Sequence, residues 1–417
     1  MSESRYDVLL SDTVVGALSA RGDGLVSFRF DEAYAAHPAR PVLGQAFEDD
    51  LSRPYAGNAA GALPGFFANL LPEGALRGLL ERSLGSEWTG DDASLLAALG
   101  EDLPGAVRVR RSSERPRPSP ASTAPLALVD EARAGLRFSL AGVQLKFSML
   151  AERDRLTLPA HGEHGDWIVK LGTEPYPHLV ENEHATMEWA RACGFDVPEC
   201  RLHSVSALHE LPRRYAPEGS AVLAVRRFDR PEPGARAHQE DFAQVMDRTK
   251  PPRGNGRYKY DAKVESIAVL VKTIVGDEAY FELVRRLAFI IASGNLDAHL
   301  KNWSLRYPDG RTPELSPLYD QVPTLVWPQH DRELALKLAG TRHPGQIDAA
   351  RLRFLAKKVG MSEEQTVAVA TKTIARARET FASAMAPRMP DAAQRRELVE
   401  YWETVPLLRD AGPLDRA

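Results

Sequence analysis

The stretch "GNLDAHLKNWSL", residues 294–305, decides how this chain is read. It follows "FELVRRLAFIIAS" (281–293), in which Phe281, Val284, Leu287, Ile290 and Ile291 recur at helical spacing, so an amphipathic helix is expected to stop at Gly294. Asp297, His299, Lys301 and Asn302 then crowd into one short piece of chain behind a helix that must be buried. A polar cluster in that position calls for a chemical reason.

The reason lies in the order of polar residues around it. A glycine-containing turn between expected strands, Ser139 to Lys146, precedes Lys170 on the strand "WIVKLG" (167–172). Glu183 follows in a helix, then a strand ending in Phe228. After a further helix come Asp297 and Asn302, separated by four residues, and a hairpin delivers Asp320. This is the order of parts in a protein kinase. Phosphoryl transfer leaves little covalent work to the protein, so its catalysis is mostly positioning and neutralising phosphate charge. Lys170 would hold nucleotide phosphates, Glu183 would orient it, and Asp297 would accept the proton of a substrate hydroxyl. Asn302 and Asp320 are the hard oxygen ligands that Mg²⁺ prefers.

Length and composition set the frame. At 417 residues, 43% hydrophobic and 26% charged, the chain is expected to fold as two or three soluble units. A formal net charge of −4 gives no general attraction to nucleic acid or to an anionic membrane. No basic segment followed by an apolar core opens the sequence, and no apolar run is long enough to span a bilayer, so a cytoplasmic location is expected. Cys193 and Cys200 are too few for a disulfide framework and read as free thiols.

Residues 5–30 alternate apolar and polar around Gly16 and an "RGDG" turn, as a small β unit would. Short helical patches follow, carrying Phe66, Phe67, Leu70, Leu71, Leu76, Leu79 and Leu80 and broken by Pro72 and Gly74. Phe66 and Phe67 are expected in a core. The segment "RRSSERPRPSPASTAP" (110–125) breaks the composition and reads as a linker. Strands are expected within 136–152, 166–172 and 220–230, and a helix in "LVENEHATMEWARACG", ending at Gly194. From about residue 235 the long elements are helical, apart from a hairpin within 303–320. Residues 249–261 read as a loop, 351–360 as the solvated face of a helix, and His161, His164 and His184 as loop or surface residues.

Several of these stretches together resemble one family. "FSLAGVQLKFSM" (138–149), "WIVKLG", "ENEHATMEWARACGFDVP" (181–198), "LAVRRFDR" (223–230), "HQEDFAQV" (238–245), "GNLDAHLKNWSL" and "LSPLYDQVPT" (315–324) closely resemble the HipA family of bacterial serine/threonine kinases, the toxins of HipBA toxin-antitoxin modules. "FFANLLPEG" (66–74) and "LLAALGEDLPGAVRV" (95–109) look like the extra N-terminal subdomain of that family. The resemblance spans about residues 5–340. It implies an α+β, kinase-like two-lobed fold with an added N-terminal β-rich subdomain and a mostly helical C-terminal lobe. The divisions would be 1–109, a linker over 110–133, a β-rich nucleotide lobe over 134–232 and a helical catalytic lobe over 233–417.

The same resemblance implies roles. Asp297 matches the catalytic aspartate and His299 the catalytic-loop histidine, Asn302 and Asp320 the magnesium ligands, and Lys170, beside Glu183, the ATP-phosphate lysine. Ser139, Ala141, Gly142 and Val143 fall in the phosphate loop, with Ser139 at the autophosphorylated position. Arg226, Arg227, Phe228 and Asp229 match the hinge that receives adenine, Phe228 lying against the base; Arg226 stands where many relatives have Glu. No GxGxxG, HRD or DFG string occurs. The implied activity is an ATP- and Mg²⁺-dependent protein serine/threonine kinase that arrests growth. The implied partners are a small DNA-binding HipB-like antitoxin, through which alone DNA would be met, and a protein substrate such as an aminoacyl-tRNA synthetase. The rival readings are a pseudokinase-like co-repressor that binds the antitoxin without catalysis, and a small-molecule phosphotransferase.

Overall fold

A computed structural model describes residues 4–22, 24–73, 77, 78, 81, 91–112, 146–152, 155–157, 165–208, 219–249 and 257–414. The alternating segment at the start forms β1 (Ser4–Leu10), β2 (Thr13–Ala20) and β3 (Val26–Phe30), followed by α1 (Glu32–Ala36), β4 (Tyr55–Ala56), α2 (Gly65–Ala68), α3 (Asp92–Ala98) and β5 (Val107–Arg111). The sheet is antiparallel in the order β4-β3-β2-β1-β5. Its apolar face packs on the helices, where Phe66 and Phe67 are fully buried and Phe67 lies 4.8 Å, ring to ring, from Phe28. A Cβ at Gly16 would meet the Arg29 carbonyl at 2.3 Å and the Phe28 ring at 2.8 Å, so this close approach requires glycine. β5 runs through Arg111, so the sheet continues past the boundary expected at 109. Residues 113–145, which hold most of the expected linker and the phosphate loop, lie outside the described residues, as do His161 and His164.

The second sheet is antiparallel in the order β7-β6-β8-β10-β9, formed by β6 (Lys146–Glu152), β7 (Arg155–Thr157), β8 (Trp167–Leu171), β9 (Cys200–Ser204) and β10 (Ala221–Arg226). Helix α4 (Leu179–Ala192) crosses it, burying Val180 and Met187 against Leu223 and Val225. It ends at Cys193, with Gly194 in the left-handed region at φ +83°. His184 lies within this helix and is half-buried, so it is not the loop or surface residue expected. Cys193 and Cys200 are both free and buried.

The remainder is helical around one long core. The elements are α5 (Phe242–Val245), α6 (Val264–Ile274), α7 (Asp277–Ser293), α8 (Ala349–Val359), α9 (Glu363–Thr380), α10 (Ala392–Thr404) and α11 (Pro406–Arg409). A three-stranded antiparallel sheet, β11 (His238–Asp241), β12 (Ser304–Tyr307) and β13 (Glu314–Leu315), is set among them in that order. Helix α7 is central: Tyr280, Leu283, Val284, Leu287, Phe289, Ile290 and Ile291 are buried, and it packs on α6 and α9. The basic run 351–360 is helix α8, which turns Leu352, Leu355, Ala356 and Val359 inward. Among the described residues no helix is long and apolar enough to cross a membrane.

Candidate active site

Helix α7 stops where its carbonyls meet Gly294, which adopts φ +65° and donates its N–H to Ile291. A Cβ there would stand 1.6 Å from Leu325 Cδ2. The chain then turns under tight restraint. The Leu296 N–H donates to Thr324 Oγ1 at 2.9 Å, Asn295 Nδ2 to Gln321 Oε1 at 3.1 Å, and the His299 N–H to Asn302 Oδ1 at 3.0 Å. Leu296 and Leu300 anchor this loop in the core. Its polar side chains are therefore presented from a fixed backbone.

Asp320 arrives from the other side of the cleft in the left-handed region, φ +57°. Such a conformation is costly for a side-chain-bearing residue and is characteristic of functional sites. Its Oδ2 accepts from Asn302 Nδ2 at 2.6 Å, while its Oδ1 lies 2.5 Å from Lys170 Nζ and 3.4 Å from Lys146 Nζ. Lys170 also donates to Glu183, and both of those side chains are buried. Five residues drawn from β6, β8, α4 and the two loops thus share one charged cluster.

The electrostatics follow from that packing. Burial pushes the Asp320 carboxyl up, but Lys146 and Lys170 outweigh it and hold the group well below the usual carboxylate range. Burial opposes charge on Lys170 too, and Asp320 with Glu183 overcomes it, so the ammonium is held above its usual value. For Glu183 burial wins over Lys170, and the carboxyl is raised. Asp297 is half-buried; burial raises its carboxyl, against the Tyr260 O–H that donates to Oδ1 at 2.7 Å. The buried His299 ring is pushed well below its usual value and stays neutral. It packs edge-on against Tyr260 at 5.2 Å.

Of the residues expected to hold nucleotide, Lys170, Glu183 and Asp320 come together with Asn302. Asp297 lies on the same loop as Asn302. The hinge side chains differ from expectation. Arg227 donates to Asp229 Oδ1 at 3.0 Å, to Asp102 at 2.8 Å and to Ser148 Oγ at 3.1 Å, and Asp229 accepts the Gly105 N–H at 2.8 Å. The charged groups of Arg227 and Asp229 are thus engaged by the N-terminal unit rather than offered to a base. Arg226 is half-buried and reaches the Pro231 carbonyl at 3.4 Å. Phe228 is half-buried with its ring 5.6 Å from Tyr319, and its backbone N–H and C=O make no hydrogen bond among the described residues. Ser139, Ala141, Gly142 and Val143 lie outside the described residues.

Two groups escaped the sequence reading. Lys146 closed the expected phosphate turn but was given no part in the cleft, and Tyr260 sat in a presumed loop. The spacing of "RYKYD", 37 residues before Asp297, carries no periodic signal that could have joined them.

Residues 138–381 match the HipA-like C-terminal domain, and residues 6–110 the HipA N-terminal domain. A Sinorhizobium fredii protein named "Putative kinase Y4dM" is 38% identical over 97% of this chain and 98% of its own. The serine/threonine-protein kinase toxin HipA of Shewanella oneidensis is 26% identical over 96% of this chain and 94% of its own. The solved complex of Shewanella oneidensis HipA, HipB and operator DNA superimposes with a TM-score of 0.75 at 22% identity, covering 97% of this chain and 99% of that one, which shows a shared fold. Matched over both its N-terminal unit and residues 138–381, the chain belongs to the HipA family, whose relatives here are named as kinases.

Proposed function

We propose that this protein is a serine/threonine protein kinase that uses ATP and Mg²⁺ and acts as a HipA-like growth-arresting toxin. The observation that carries the reading is the Asp320 carboxylate, held ionised between Asn302 and a Lys170 that is itself braced by Glu183. A buried carboxylate kept charged beside an amide is what a phosphate-bound cation needs. Among the described residues no group of three or more His, Cys, Asp or Glu could hold a metal. Asp320 and Asn302 would form a two-ligand site that a substrate's phosphate oxygens and water would complete, which suits Mg²⁺. Asn302 now turns its Nδ2 to Asp320 and its Oδ1 to the His299 N–H, so ligation would require the amide to rotate. The ion would neutralise phosphate charge.

The chain's own groups supply the rest. Lys170 would leave Asp320 for the phosphates while Glu183 keeps its direction. Asp297, half-buried and with one oxygen held by Tyr260, would take the substrate hydroxyl's proton. The backbone of Phe228 and its ring would receive the base. Ser139 would be the autophosphorylated position, a role carried by the motif around it. A HipB-like antitoxin partner is supported by the family and by the fold shared with a HipA that was solved with HipB and operator DNA. The net charge of −4 favours DNA contact through that partner alone. An aminoacyl-tRNA synthetase is the substrate that the family suggests. A co-repressor without catalysis would be favoured by loss of Lys170, Asp297, Asn302 or Asp320, and all four are present.

The test is incubation of purified protein with labelled ATP, Mg²⁺ and a lysate of its own host. A labelled host protein that disappears with Asp297→Asn supports the kinase reading. Failure of the wild-type protein to label any protein, itself included, would overturn it.

A further inference from the structure

One carboxylate of the N-terminal unit reaches into the catalytic lobe. Glu73 accepts from the Tyr258 O–H at 2.5 Å and pairs with Lys259 Nζ at 3.1 Å. It also lies 3.4 Å from Lys301 Nζ, which donates to the Asn69 carbonyl at 2.9 Å. Lys259 is only 3% exposed, and Glu73 is its ion-pair partner. Tyr258 and Lys259 immediately precede Tyr260, whose hydroxyl holds Asp297 Oδ1, and Lys301 immediately precedes Asn302. Glu73 therefore ties down both chain segments that frame Asp297.

Tyr260 is itself well fixed. Its ring packs edge-on against His299, and its carbonyl accepts from Arg342 at 2.6 Å. A carboxylate held at one oxygen keeps the other in a set direction, and small misplacements of a catalytic base cost large factors in rate.

We propose that Glu73 and Tyr260 are positioning residues for phosphoryl transfer, Glu73 fixing the 257–260 turn and the catalytic loop, and Tyr260 fixing Asp297 so that Oδ2 faces the substrate. In the transfer, the substrate hydroxyl's proton passes to Oδ2 as its oxygen bonds the γ-phosphorus and the bond to the ADP oxygen breaks. The N-terminal unit is then a working part of the active site rather than an appended module. This rests on the kinase reading above.

The experiment is steady-state kinetics of the full chain with Tyr260→Phe, Glu73→Gln and the double variant. Each single change lowers kcat about 10- to 100-fold. The KM for ATP moves by less than about 3-fold, since neither residue reaches the nucleotide cluster. The double variant is scarcely worse than the poorer single one, because both act through one chain of contacts. An unchanged kcat in either single variant, or losses that multiply, overturns the proposal. Hydrogen exchange of amides 294–302 is read in the same proteins and needs no activity. Faster exchange in Glu73→Gln than in wild type supports the clamp, and equal exchange overturns it. Faster exchange alongside a wild-type protein that transfers no phosphate overturns the kinase reading alone. If Glu73→Gln does not fold, Tyr258→Phe replaces it, removing a single hydroxyl from the same carboxylate, with the same expected direction.

Discussion

At the scale of single residues the cleft is a balance of four buried or half-buried charges, and removing one exposes the others. Asp297→Asn changes a charge and no volume, so phosphoryl transfer should vanish while the thermal midpoint stays within a few degrees of wild type, about the shift that 1 kcal/mol produces. Melting curves beside a transfer assay check this, and a variant that still labels substrate would remove Asp297 from the chemistry. Lys170→Ala should behave differently. It deletes the cation between Glu183 and Asp320, leaving two carboxylates facing each other, a loss expected to cost about 3–5 kcal/mol as well as nucleotide affinity. Adding Glu183→Gln to Lys170→Ala should recover part of the stability and none of the affinity. Denaturant titration and nucleotide binding, measured on both proteins, separate the two effects. Lys170, Glu183, Asn302 and Asp320, which the fold brings together, stand out in the sequence because phosphate chemistry would need those types in that order. Tyr260 and Glu73 could not, since a tyrosine and a glutamate in polar turns look like any solvated residue until the fold sets them against Asp297 and two lysines.

Among the elements, helix α7 and its terminus decide where the loop lies. The helix was legible because its apolar positions repeat at helical spacing, and its end because Gly294 follows the last of them. β11 was not legible as a strand: "HQED" is wholly polar, yet His238 and Glu240 are 3% and 0% exposed. Polar residues satisfied at an interface defeat any reading based on alternating hydrophobicity. The glycine gives a sharp test. Gly294→Ala faces a left-handed backbone, worth about 1–2 kcal/mol against any L-residue, and a clash with Leu325. Its cost should exceed that strain alone and kcat should fall with it, because the loop carrying Asp297 starts at this residue. Gly294→Ala combined with Leu325→Ala relieves the clash but keeps the strain, so kcat should recover further than stability does. Equal recovery of both would mean that the loop position is set elsewhere.

Across the whole molecule, the second and third units share an apolar core, with Trp189 packed on Phe289 and Phe381, whereas polar contacts tie the N-terminal unit to both. Arg227 and Arg230 meet Asp102, Asp229 accepts the Gly105 N–H, Lys301 meets Glu73, and Glu240 meets Gln45. The sequence pointed to an N-terminal unit through its motifs, but its packing on the catalytic lobe depends on these long-range pairs, which no local pattern encodes. Glu240 makes the joint sensitive to pH. It accepts from the Tyr307 O–H and from the Gln45 N–H at 3.0 Å, and complete burial pushes its carboxyl up to about 8. Between its usual value near 4.5 and about 8 the folded protein holds a proton that the unfolded chain releases, so stability falls as pH rises through that range and levels off above it. Two neighbours titrate in the same region of structure but outside the upper part of that window. His238, held neutral down to about 4, contributes only below its ordinary 6.5, and Asp241, raised to about 6, has finished titrating by then. The interval from about pH 7 to about pH 8.5 therefore separates Glu240 from these two neighbours. Wild-type protein should lose thermal stability across it, whereas Glu240→Gln, which mimics the neutral acid, should show a flatter profile and overtake wild type at the alkaline end. Parallel profiles for the two proteins would mean that Glu240 is ionised in the fold and that the joint holds a buried charge instead of a buried acid.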